Sequence, residues 1–131
     1  MCSARFEAFK VFLVEDSPIV LERLEAMLGT ITGAATVGHA SRAEEAIHGI
    51  LDTRPDAVVL DINLSQGSGF DVLRAVRAQA PAIDVYMLTN FTADAYRRLA
   101  ERLGVRGFFD KSTEFDDVRA VLSARANEKM H

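Results

Sequence analysis

The 131 residues fit one domain, long enough to bury roughly two-thirds of its unfolded surface. A net charge of −4 argues against attraction of the whole molecule to nucleic acid or to an anionic membrane. The single cysteine, Cys2, has no partner for an internal disulfide. No stretch reaches transmembrane length, and the first nine residues carry Arg5 and Glu7 without the apolar run of a signal peptide. The expectation is a cytoplasmic protein with no membrane association.

In chain order, Lys10–Val14 is a short apolar run that reads as a buried strand and ends on Glu15-Asp16. Ser17-Pro18 then supplies an N-cap oxygen and a proline at the first helical position. Val20, Leu21, Leu24, Met27 and Leu28 follow at helical spacing up to Gly29. Ala34–Ala40 is the second strand. Ser41-Arg42-Ala43-Glu44 has the form of a capping box opening a helix with Ala46, Ile47, Ile50 and Leu51 inward. The third strand, Ala57–Leu60, ends on Asp61, and Ser68-Gly69-Phe70-Asp71 opens a helix facing Val72, Leu73 and Val76 inward. After Pro81 comes a fourth strand, Ile83–Leu88, followed by a helix capped by Thr92 and closed by Gly104 after Leu103. Val105–Phe109 is the fifth strand and ends near Lys111. The last helix runs from about Thr113 to Ala126, with Phe115, Val118, Val121 and Leu122 on one face.

Strand and helix thus alternate five times, which calls for an α/β fold with a parallel sheet covered on both sides. The flavodoxin-like doubly wound order 2-1-3-4-5 makes strands 1 and 3 neighbours at the switch point, bringing Glu15 and Asp16 beside Asp61. A dinucleotide-binding order fits less well, because the turn Glu15-Asp16-Ser17-Pro18 has no glycine to admit a pyrophosphate. Crowded carboxylates repel unless a cation offsets them, and magnesium favours one or two carboxylates with water and phosphate oxygens. Asp61 is then placed to act as nucleophile toward a phosphoryl donor, with Lys111 as a mobile charge and the Thr89 hydroxyl within reach. Taken singly, the same residues have plainer readings. Glu15-Asp16 would complement a helix dipole, Lys111 would be solvated, and Phe108 would be core.

The pieces VEDSP, VVLDINLSQGSGFDVL, YMLTN and GVRGFFDKS, in this order and at these separations, resemble the receiver domain of two-component response regulators from about Lys10 to Leu122. On that resemblance residues 1–9 are an N-terminal extension, 10–126 the receiver domain and 127–131 a C-terminal tail. It implies phosphorylation of Asp61 by a histidine kinase or histidine phosphotransfer protein. It further implies Mg2+ held by Asp16, Asp61 and the backbone carbonyl of Asn63, with Glu15 nearby or acting through water. Thr89 and Phe108 would be the switch pair, and Phe91, two residues after Thr89, would govern water access to the phosphoryl group. Family members often have proline after the lysine. Ser112 stands here, where a cis bond costs about 2.5–4 kcal/mol.

The resulting expectation is a signalling phosphoacceptor, not an enzyme with external substrates, that acts on an unknown downstream protein. Homodimerisation would use the fourth helix, fifth strand and fifth helix. Direct DNA binding is not expected, since no helix-turn-helix module has room after residue 126. A magnesium-dependent phosphatase using an aspartyl-phosphate is the competing reading, but Asp61-Ile62-Asn63 lacks the second carboxylate of an Asp-x-Asp pattern. His39, His48 and His131 do not cluster at metal-ligand spacing. Arg97, Arg98, Arg102 and Arg106 give a locally basic face that reads as solvated or as a docking surface.

Overall fold

The computed structural model describes residues 7–130, so Cys2 and His131 lie outside the described residues. Ten elements alternate: β1 (Phe9–Val14), α1 (Pro18–Gly29), β2 (Ala34–Ala40), α2 (Ala43–Thr53), β3 (Ala57–Leu60), α3 (Gly69–Gln79), β4 (Asp84–Thr89), α4 (Asp94–Arg102), β5 (Gly107–Asp110) and α5 (Phe115–Met130). The strands form one parallel sheet, as the alternation calls for, in the flavodoxin-like order β2-β1-β3-β4-β5 that places Glu15 beside Asp61.

Strand side chains point to alternate faces, and the sheet therefore has two cores. Phe12, Val14, Val58, Leu60, Val85 and Met87 pack with α2, α3 and Ala100 of α4. Val11, Leu13, Ala57, Val59, Tyr86 and Leu88 pack with Leu24 and Leu28 of α1 and Val118 and Leu122 of α5. The register between β1 and β2 shifts at Val11/Phe12. There the Phe12 ring occupies the space a Cβ would need at Gly38, 2.7 Å away.

The helix starts at the site end obey local chemistry in two cases. The Ser17 hydroxyl accepts from Val20 N, with proline opening α1. Ser68 and Asp71 form a reciprocal capping box on α3. The capping box expected from Ser41 and Glu44 does not form. Ser41 N–H donates to Glu45 instead, Arg42 takes the cap position, and α2 starts at Ala43. The cause is the β3–α3 loop, where Ser65 donates twice to Ser41 O and Ala43 N–H donates to Gln66 O.

Thr92 does not cap α4. Ala93 holds that position without a side-chain bond. Gly104 closes the helix at φ 93°, a left-handed conformation suited to glycine. Val105 N–H then returns to Ala100 O, so β5 begins at Gly107 and not at Val105. At the other end, α5 continues past Ala126 to Met130, anchored by Lys129 on Asp56 and Ala8 O.

Candidate functional site

Val14 and Leu60 are paired in the register of adjacent parallel strands, so the residues that follow them, Glu15 and Asp61, emerge side by side at the C-terminal rim. Backbone bonds fix both: Asp61 N–H donates to Val14 O (3.1 Å) and Glu15 N–H to Ala40 O (3.0 Å). Asp61 is followed by a close approach of α3. A Cβ on Gly69 would collide with the Asp61 carbonyl oxygen, so only glycine admits the helix there. Across the sheet, Thr89 pairs with Asp110, and Lys111 N–H donates to Thr89 O (2.9 Å).

The Lys111 side chain spans the rim. Its Nζ lies 2.7 Å from Asp61 Oδ2 and 2.8 Å from Glu15 Oε1. Glu15 Oε2 accepts from Ser17 N–H (3.1 Å), and Asp61 Oδ1 accepts from Asn63 N–H (3.4 Å). Glu15, Asp61 and Thr89 are 4%, 5% and 0% exposed, whereas Asp16 is exposed. One ammonium therefore serves two buried carboxylates. Burial pushes the Glu15 carboxyl above its ordinary range, and its half-share of Lys111 does not offset that. Burial acts on Lys111 in the opposite sense, but the two carboxylates together hold its ammonium above the ordinary lysine value.

One carboxylate oxygen from each of Glu15, Asp16 and Asp61 falls within 4.8 Å of the others, and no other such cluster exists among the described residues. Three carboxylates against one ammonium leave two negative charges at the rim. An all-oxygen donor set with that imbalance fits a hard divalent cation such as magnesium. His39 and His48 are exposed and lie outside the cluster.

The remaining expected residues are also near the rim. Thr89 Oγ1 accepts from Phe91 N–H (3.1 Å). The Phe91 ring is 42% exposed and meets Tyr96 edge-on. Phe108 is buried, and the Arg97 guanidinium lies 4.5 Å from its ring centroid while donating to Phe108 O. The basic face is thus divided. Arg97 covers Phe108, Arg106 reaches Asp84, and Arg98 and Arg102 are exposed.

The Lys111–Ser112 peptide is trans. Sequence reasoning missed the loop that holds it. Asp110 Oδ1 accepts from Ser112 N–H (2.8 Å) and Ser112 Oγ (2.6 Å), while Asp110 N–H donates to Glu114 Oε1 (2.8 Å). The two bonds from Ser112 hold the Asp110 carboxyl below its ordinary range, the hydroxyl foremost. The available signal was the Asp-x-Ser spacing of an Asx turn.

The model of the response regulator receiver domain matches residues 11–123, and the chain belongs to that family. It is a receiver domain of two-component signalling. The DNA-binding transcriptional activator DevR/DosR of Mycobacterium tuberculosis is 32% identical over 117 residues, 89% of this chain and 52% of that protein. A protein-glutamate methylesterase/protein-glutamine glutaminase of Syntrophus aciditrophicus is 38% identical over 72 residues, 55% of this chain and 21% of the enzyme. Among solved structures, the signal receiver domain of the putative response regulator NarL from Mycobacterium tuberculosis aligns with TM-score 0.83 at 23% identity, covering 92% of this chain and 98% of that one. The chain spans about half the length of curated relatives such as DevR/DosR.

Proposed function

We propose that Asp61 is the phosphoacceptor and that a histidine kinase or histidine phosphotransfer protein is the donor. The observation that carries this reading is the Lys111 ammonium held between Asp61 and Glu15 at the ends of two neighbouring strands. Asp61 Oδ1 has only a long bond from Asn63 N–H, which leaves lone pairs to attack a phosphorus atom. As the Asp61 O–P bond forms and the P–N bond of the donor's phosphohistidine breaks, releasing its imidazole, Lys111 shifts its charge from the carboxylate to a phosphoryl oxygen. Thr89, buried at the end of the neighbouring strand β4 and accepting from Phe91 N–H, donates its hydroxyl proton to another.

Asp16 and Asp61 would hold Mg2+, with the Asn63 carbonyl completing the set and Glu15 acting nearby or through water. Bound there, the ion neutralises charge on the transferring oxygens. Arg97 and Phe108 then form the output side. Phe108 is already buried beneath Arg97, so the transition repositions α4 around a preset ring.

The chain signals by protein contact, without DNA binding of its own, from the cytoplasm. It catalyses no reaction beyond its own phosphorylation and dephosphorylation, and a homodimer would form through α4, β5 and α5. Among the described residues, no helix is long and apolar enough to cross a membrane. Incubation with acetyl phosphate and magnesium followed by intact mass tests the acceptor. One phosphoryl group should appear on wild type and none on Asp61→Asn. Equal labelling of the variant would sink the assignment.

A further inference from the structure

We propose that Asp110 and Ser112 form a clasp that positions Lys111 for phosphoryl transfer, an inference that rests on the Asp61 reading above. Lys111 is the only residue of β5 and its following loop whose side chain reaches both buried carboxylates. Its four-carbon stem is flexible, so its aim depends on the backbone on either side. Strand pairing fixes the upstream side through Lys111 N–H on Thr89 O. Downstream there is no ladder, and Ser112 lacks the ring that would limit a proline's backbone.

The clasp supplies the missing restraint. The Asp110 carboxylate takes both the N–H and the hydroxyl of Ser112. The Asp110 carbonyl accepts from Thr113 N–H (3.3 Å) and Glu114 N–H (2.7 Å). The Glu114 carboxylate returns to Asp110 N–H. Every backbone polar group of Asp110 and its side chain are thereby engaged, and Lys111 sits between the two arms. The N–H at position 112 is used in this turn, and proline could not provide it. The side chains of Asp110 and Ser112 bond within the turn and not to Asp61, so they act through Lys111 as positioning residues.

A double-mutant cycle separates this role from general support of the fold. The rate of Asp61 phosphorylation by acetyl phosphate is measured for wild type, Asp110→Ala, Lys111→Ala and the double variant, each at saturating magnesium. Asp110→Ala should slow wild type roughly tenfold, in line with a small misplacement of a charged group, and change the Lys111→Ala rate by less than about twofold. Asp110→Asn keeps an acceptor for Ser112 and should recover most of the rate. Ser112→Ala, which keeps the N–H but loses the hydroxyl, should fall between wild type and Asp110→Ala. Equal losses in both backgrounds, or no loss in wild type, would overturn the clasp.

An independent reading comes from the 15N-detected Lys111 ammonium resonance. It should be observable in the wild-type ion pair and broadened away in Asp110→Ala. If Asp61→Asn labels like wild type, the acceptor reading fails while this resonance still decides the clasp. Its persistence in Asp110→Ala would overturn the proposal.

Discussion

The two ends of the same sheet handle charge in opposite ways. At the N-terminal end, acids and cations are matched. Asp56 Oδ2 accepts from Lys10 N–H and Lys129 Nζ, both at 2.8 Å, and Asp84 is bonded by Arg125 and faced by Arg106. Arg125 also donates to the Tyr86 hydroxyl (3.1 Å), leaving the buried tyrosine satisfied. At the C-terminal rim, Lys111 alone faces Glu15 and Asp61, with Asp16 close by. A matched end fastens α5 and lowers the energy of the fold. An unmatched end keeps an excess of negative charge that a divalent cation can offset.

The sharpest way to break this contrast is Lys111→Ala. It leaves two buried carboxylates facing each other and should cost about 2–3 kcal/mol of stability in metal-free buffer, read by urea unfolding. Saturating magnesium should return much of the loss, and an equal loss with and without the ion would contradict the rim's role. Asp84→Ala removes the acid at the matched end and takes the carboxylate partner from Arg125 and Arg106. A loss of about 1–2 kcal/mol is expected, with magnesium affinity unchanged by titration calorimetry. A weakened magnesium affinity would show that the two ends are not independent.

The pH dependence sharpens the comparison further. Because folding raises the Glu15 carboxyl, the native state holds this proton more tightly than the unfolded chain. Stability in metal-free buffer should therefore fall as pH rises from the ordinary glutamate range through the raised native value, and level off above it. Glu15→Gln should remove that decline, measured by urea unfolding across the window. An undiminished decline in the variant would assign it elsewhere. Asp16→Ala has the smallest effect on the metal-free fold, a gain of a few tenths of a kcal/mol from an exposed like charge. It should nevertheless abolish the magnesium-dependent rise in Tm. If that rise is retained, Asp16 is not a principal ligand.

The sheet order and the three clustered acids were legible because both follow from local patterns. Apolar runs ending in charge mark strand ends, and a single topology places Glu15 beside Asp61. The sequence is silent where two partners compete for the same backbone group. Ser41 lost its capping role to the β3–α3 loop, and Val105 was taken by the end of α4 before it could pair in β5. The extension of α5 to Met130 depends on Lys129 meeting Asp56, 73 residues away. Arg97 shows the same limit at the site. Its position in the sequence marks a helix surface, but only the packed structure lays it over Phe108.

On the proposed function, the unmatched rim serves to place a phosphoryl group on Asp61. The most direct test is to treat the protein with acetyl phosphate and magnesium, reduce it with borohydride, and map the peptides by mass. An acyl phosphate is reduced to the alcohol, so homoserine should appear at position 61 and at no other aspartate. Homoserine at Asp16 or elsewhere, with position 61 unchanged, would contradict the account.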